Sequence, residues 1–138
     1  MVTKKRPVVG ILMGSKSDAE TMAETEKILK ERKIPYEINV ISAHRNPEKV
    51  RSYTKAAKKK GIKILICGAG MSAALAGVVS AYTDLPVIGV PMHTKALNGV
   101  DSLLSTVQMP GGVPVACMAI GKAGAKNAAI LASRILAL

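Results

Sequence analysis

Short apolar runs alternate along this chain with stretches in which apolar residues recur every three or four positions. Val8-Val9-Gly10-Ile11-Leu12-Met13 is one such run, of a length that suits a strand buried on both faces. Val50, Tyr53, Thr54 and Ala57 fall at i, i+3, i+4 and i+7, which gives a helix one buried stripe. Read this way, the pattern predicts strands over about 7–13, 35–41, 62–67, 86–91 and 113–118, alternating with helices over about 18–32, 47–60, 71–82, 98–108 and 122–137. Punctuation agrees: Gly61 closes the second helix, Pro86 opens the fourth strand, and Pro110-Gly111-Gly112 breaks the chain before the fifth. Strict alternation of strand and helix implies a doubly wound parallel sheet, a three-layer αβα sandwich. The last helix, with Ile130, Leu131, Ile135 and Leu136, is apolar on more than one side and suits burial against another subunit.

Composition narrows the picture. A chain of 138 residues without a linker or low-complexity segment is read as one α/β domain, 1–138. Hydrophobic residues make up 49% but aromatics only 2%, with no Phe or Trp, so Ala, Val, Ile, Leu and Met must build the core. No apolar stretch approaches the ~20 residues a membrane helix needs, and Met1 to Pro7 is basic without an apolar segment. A cytoplasmic protein with no membrane partner is expected. Cys67 and Cys117 are far apart and belong to no C-x-x-C pair, so they read as buried reduced thiols and no metal site is expected.

The formal charge is +11, from 20 basic and 9 acidic residues. Lys4-Lys5-Arg6 forms a basic tip, and Arg51, Lys55, Lys58, Lys59, Lys60 and Lys63 lie mostly away from the stripe of the second helix. A nucleic-acid surface is one reading. The three Tyr residues are scattered, however, and no aromatic platform or zinc pattern accompanies the charge. Solvated helix faces explain it better, so no nucleic-acid partner is expected, while the field would still attract a small anion.

Two strand-to-helix junctions carry candidate chemistry. Gly14-Ser15-Lys16-Ser17-Asp18 follows the first strand, and Ser17 with Glu20 reads as an S-x-x-E capping box. Unpartnered N–H groups at such a helix start form a ready phosphate site. Ser42-Ala43-His44-Arg45-Asn46-Pro47 follows the second strand, with Asn46 as N-cap, Pro47 at the first helical position and Glu48 in the first turn. His44 and Arg45 therefore sit on the carboxyl edge of the sheet, where ligands bind in open α/β folds. Arg offers a planar fork for phosphate, and His exchanges a proton near neutral pH.

A third junction, Gly68-Ala69-Gly70-Met71-Ser72-Ala73, fits the G-x-G-x-x-A dinucleotide fingerprint. That fingerprint wants an acidic residue about 20 positions on, at the end of the next strand. Here that strand reads Val87-Ile88-Gly89-Val90-Pro91. The match is therefore read as accidental, and the small residues as letting backbone approach a ligand closely.

Together with Pro86 to Pro91 and Asp101-Ser102-Leu103-Leu104-Ser105-Thr106-Val107-Gln108-Met109-Pro110, these loops follow one order along nearly the whole chain. In that order they resemble the carboxyaminoimidazole ribonucleotide mutases and aminoimidazole ribonucleotide carboxylases of purine biosynthesis. The resemblance implies a flavodoxin-like fold, a cofactor-free enzyme and an octamer. It implies that Ser15 and Arg45 hold the phosphate of an aminoimidazole ribonucleotide substrate, that Asp18 binds the ribose hydroxyls, and that Ser42 shapes the pocket. The loop around Ser72 and Leu75 would close over the imidazole, and His44 would transfer the proton.

Two departures bear on the reaction. Mutases usually carry a second histidine in a Gly-Gly-Ala-Ala-His-Leu-Pro-Gly loop, where this chain has Ala74; His93 lies well beyond it and reads as a surface or loop histidine. The branch that carboxylates the plain nucleotide with carbon dioxide usually has Ser-Asn in this loop, of which Ser72 matches and Ala73 does not. The carboxyl donor thus stays open. Mutases also often run on past the position of Leu138, so tail contacts of an assembly are expected to be missing. A nucleotide-binding module without turnover and a basic nucleic-acid binder are the rival classes.

Overall fold

A computed structural model describes residues 5–138. Lys4 of the basic tip, like Met1 to Thr3, lies outside the described residues. Parallel strands β1 (Val9–Met13), β2 (Tyr36–Val40), β3 (Ile64–Ala69), β4 (Val87–Pro91) and β5 (Ala116–Cys117) form one sheet in the order β2-β1-β3-β4-β5. Helices α1 (Ala19–Glu31), α2 (Pro47–Lys60), α3 (Leu75–Ala81), α4 (Val100–Val107) and α5 (Lys122–Leu136) connect and follow the strands. This order is the flavodoxin-like one, with its reversal of winding beside β1.

The core explains the apolar runs. β1 is buried along its whole length and β3 from Ile64 to Gly68, because helices cover both faces. On one face α1 and α5 pack on the sheet around Met22, Leu29, Ala125, Ala128, Ala129 and Ala132. On the other, Val50 and Ala57 of α2 meet Leu75, Ala76 and Val79 of α3 over Leu12, Leu65 and Cys67. In the absence of Phe and Trp, methionines fill the irregular gaps. A Cβ on Gly68 would lie 2.7 Å from Met22 Sδ and 2.8 Å from Met92 Cε. Gly68 is therefore small to admit core methionines, which corrects the expectation that it is small for a ligand.

Several local expectations shift. The fifth strand is two residues long, because Pro114 lacks an N–H to donate and the preceding Pro-Gly-Gly segment stands off the sheet. The last helix turns Ala125, Ala128, Ala129 and Ala132 inward onto the core it shares with α1, and Leu131, Ile135 and Leu136 pack partly buried against the same cluster. Its small residues pack inward, and Ile130 too stays only partly buried. The outward apolar row lies on and just before α4, where Leu97, Val100, Leu104 and Val107 are exposed. Cys67 is buried, with desolvation pushing its thiol well up, whereas Cys117 is only half-buried. Among the described residues no helix is long and apolar enough to cross a membrane.

Candidate functional site

The loops leaving the carboxyl ends of β1, β2, β3 and β4 line one cavity of about 780 Å³. It opens beside the β1/β3 switch point, where the diverging connections leave a crevice.

The β1 loop contributes Gly14, Ser15, Ser17 and Asp18. Lys16–Asp18 form a single 3-10 turn ahead of α1, and the capping box belongs to Ser15 and Asp18, not to Ser17 and Glu20. The pattern fits at two overlapping positions, and the chain takes the earlier one because the turn tightens before α1. Ser15 Oγ accepts from the Ser17 N–H at 3.3 Å, and Asp18 Oδ2 accepts from the Ser15 N–H at 3.2 Å. The Asp18 N–H donates to the Ser15 carbonyl. Those three amides are thus partnered within the loop, contrary to the open array expected, and the hydroxyls of Ser15 and Ser17, 3.0 Å apart, remain at the cavity wall. Burial raises the Asp18 carboxyl above its ordinary value, against the lowering effect of the Ser15 amide.

The β2 loop brings Ser42, Ala43, His44 and Arg45 to the same cavity. Ser42 folds it: its Oγ accepts the Arg45 N–H at 3.2 Å and its carbonyl accepts the Asn46 N–H at 2.9 Å. Pro47 stands at the first position of α2 as its fixed φ favours, and Gly61 closes the helix at φ 103°. Asn46 occupies the N-cap through its backbone alone, since its carbonyl takes the Lys49 N–H that its side chain would otherwise accept. His44 and Arg45 are left exposed.

The β3 loop supplies Gly70, Met71, Ser72, Ala74 and Leu75. A helix was expected from residue 71, but α3 begins at Leu75, because α4 captures the amides ahead of it. Ser102 Oγ accepts the Met71 N–H at 3.0 Å, and Ser105 Oγ accepts the Ala73 N–H at 2.9 Å. These bonds hold Met71 at φ 60°, a left-handed conformation that costs a β-carbon residue about 1–2 kcal/mol.

Sequence reasoning missed the fourth loop. Met92, His93, Thr94, Lys95 and Ala96 follow β4, and with Asp101 they complete the lining. The signal was present: these residues leave the carboxyl edge just as the first three loops do. His93 is exposed and in a loop, as expected, and it also faces the cavity. Thr94 Oγ1 donates to Asp101 Oδ1 at 2.6 Å and accepts the Gly99 N–H at 2.9 Å, which ties the loop down. All seven residues singled out in the first three loops, Ser15, Asp18, Ser42, His44, Arg45, Ser72 and Leu75, thus line one space.

The family model described as AIR carboxylase matches residues 8–138. The chain belongs to this family. It is 59% identical over 131 residues to an N5-carboxyaminoimidazole ribonucleotide mutase of Bacillus subtilis, covering 95% of this chain and 81% of that protein. To a protein of the same name from Pyrococcus horikoshii it is 56% identical, covering 97% of this chain and 75% of the relative. Among solved structures it resembles Treponema denticola PurE, with a TM-score of 0.85 and 36% identity over 96% of this chain and 81% of that one. The AIR carboxylase family is thus met here with all four cavity loops inside the matched residues.

Proposed function

We propose that this protein converts N5-carboxyaminoimidazole ribonucleotide to 4-carboxy-5-aminoimidazole ribonucleotide in purine biosynthesis. The observation that carries the reading is the convergence of the Ser15, Asp18, His44 and Arg45 loops on one cavity, in a chain more than half identical to mutases from a bacterium and an archaeon. Arg45 and the serine hydroxyls of the β1 loop would hold the phosphate as a planar cation beside fixed dipoles. Asp18, already oriented by the Ser15 amide, would accept the ribose hydroxyls.

The chemistry then needs one proton carrier. The bond between the exocyclic nitrogen and its carboxyl carbon breaks, leaving the electron pair on nitrogen and releasing carbon dioxide inside the cavity. His44 as imidazolium protonates that nitrogen. The ring carbon attacks the trapped carbon dioxide, and His44, now neutral, removes the proton from that carbon. A positioned acid–base of this kind contributes ~10²–10⁴-fold, and confinement of carbon dioxide adds proximity. No cofactor is invoked. Direct carboxylation of aminoimidazole ribonucleotide by carbon dioxide is the second reading, supported by Ser72 at the cavity wall and by Ala74 in place of the usual mutase histidine.

We place the reaction in the cytoplasm, where nucleotide synthesis occurs, and propose self-association of the chain up to the octamer that the resemblance implies. The exposed apolar row on α4 supports the contact with a second copy.

Ultraviolet detection of the carboxylated product tests the function, with the carboxyamino nucleotide in one arm and the plain nucleotide plus carbon dioxide in the other, both without ATP. Turnover of the first alone is expected. Turnover of the second would establish the direct carboxylase, and neither would leave a binding module. His44→Asn should abolish turnover while nucleotide binding largely persists; full activity in that variant would remove His44 from the mechanism.

A further inference from the structure

The cavity carries cationic or protonatable side chains on two separate loops. Arg45 and His44 stand after β2 and His93 and Lys95 after β4, so the two loops flank the cavity. The substrate of the proposed reaction likewise carries two anionic groups, a phosphate at one end and a carboxylate on the base at the other. We infer that His93 and Lys95 form the second anion subsite of this cavity, which receives the carboxylate of the carboxylated base. The inference rests on the nucleotide reading above and adds to it the residues that discriminate the carboxylated nucleotide from the plain one.

Spacing supports the assignment. Neighbouring strands lie about 4.8 Å apart, so β4 stands two strand spacings, roughly 10 Å, from β1 across β3. A nucleotide anchored by its phosphate at the β1 loop would extend its base over β3, and a group carried on the base would reach toward the β4 loop. Carboxylates Asp18 and Asp101 also line the cavity, and neither is paired with Lys95. Asp101 is engaged by Thr94 at 2.6 Å. Among the described residues, the side chains of Lys95 and His93 make no hydrogen bond or ion pair to protein. Most unpaired lysines of this basic chain lie elsewhere, whereas Lys95 lines the site.

The loop that holds them is preformed. The Met92 N–H donates to the Ala69 carbonyl at 2.9 Å, joining the β4 loop to the β3 loop. Gly99, at φ 85°, packs so closely that a Cβ there would lie 3.2 Å from the Met92 carbonyl oxygen and 3.4 Å from His93 Cα. His93 is thus fixed at its backbone while its ring stays available. A backbone already held in place spares the ordering of the loop on binding, which sharpens selection of a charged ligand.

Calorimetric titration with two stable nucleotides separates the possibilities: 4-carboxy-5-aminoimidazole ribonucleotide and 5-aminoimidazole ribonucleotide, which lacks the carboxylate. Lys95→Met and His93→Asn are exposed replacements that leave the core intact. Each is expected to weaken the carboxylated nucleotide about tenfold, as loss of a charge-assisted bond implies, while the plain nucleotide changes less than about twofold. Equal weakening of both nucleotides, or no weakening of either, would overturn the inference while leaving the function standing. A wild-type protein that binds neither nucleotide would overturn the nucleotide reading and this inference with it.

Discussion

Asp18 is only 9% exposed, yet it lines the cavity and accepts the Ser15 amide. Burial disfavours its charged form, so its carboxyl titrates above the ordinary carboxylate range in the folded protein. The folded state then holds the proton more tightly than the unfolded chain does. Stability from this group is therefore complete below the ordinary value and falls as pH rises through the raised one. Asp18→Asn keeps an oxygen for the Ser15 amide and removes the titration. Urea unfolding at several values between about pH 4 and pH 7 should show wild type losing stability relative to the variant as pH rises. An unchanged difference across that range would mean that Asp18 titrates as a solvated carboxylate. The functional corollary is that the residue proposed to meet the ribose is held at a cost to the fold, as is common where a charged group is kept for a ligand.

Between elements, the bonds from α4 to the β3 loop decide the cavity's shape. Ser102 is fully buried and its Oγ accepts the Met71 amide, and Ser105 Oγ accepts the Ala73 amide while donating to the Asp101 carbonyl at 2.6 Å. The segment Asp101 to Pro110 stands far along the chain from Ser72, but it shapes the loop that carries Ser72. Ser102→Ala leaves the Met71 amide without that acceptor and should cost about 1–2 kcal/mol of stability, read from the urea midpoint. Because the loop lines the cavity, the same variant should raise KM several-fold with a smaller change in kcat. Loss of kcat alone would show that the loop acts in the chemical step instead. The α3 boundary follows from the same bonds: composition around Met71 to Ala74 suits a helix, and tertiary hydrogen bonds hold it as a loop.

For the molecule as a whole, an apolar row remains uncovered on a strongly basic surface. Leu104 is 58% exposed, and Met71 at the cavity wall is 71% exposed. Leu104→Glu should leave the monomer folded, since the side chain is outside the core, and should dissociate the proposed assembly in sedimentation. Wild-type protein that sediments as a monomer would remove α4 as a contact between copies. The alternation of apolar runs with helical stripes was enough to fix five strands, five helices and their parallel winding, because burial on both faces demands continuous apolar strands. The junction residues were legible too: Ser15, Asp18, His44 and Arg45 stand where chain direction changes, and sheet geometry sends all such junctions to one edge. What tertiary structure alone decided is what depends on contacts between distant segments. Gly68 is small because Met22 and Met92 meet over it, α3 starts late because α4 holds its entry, and α5 faces inward because α1 covers its alanines. Periodicity reports which face of an element is apolar, but only packing determines which neighbour covers it.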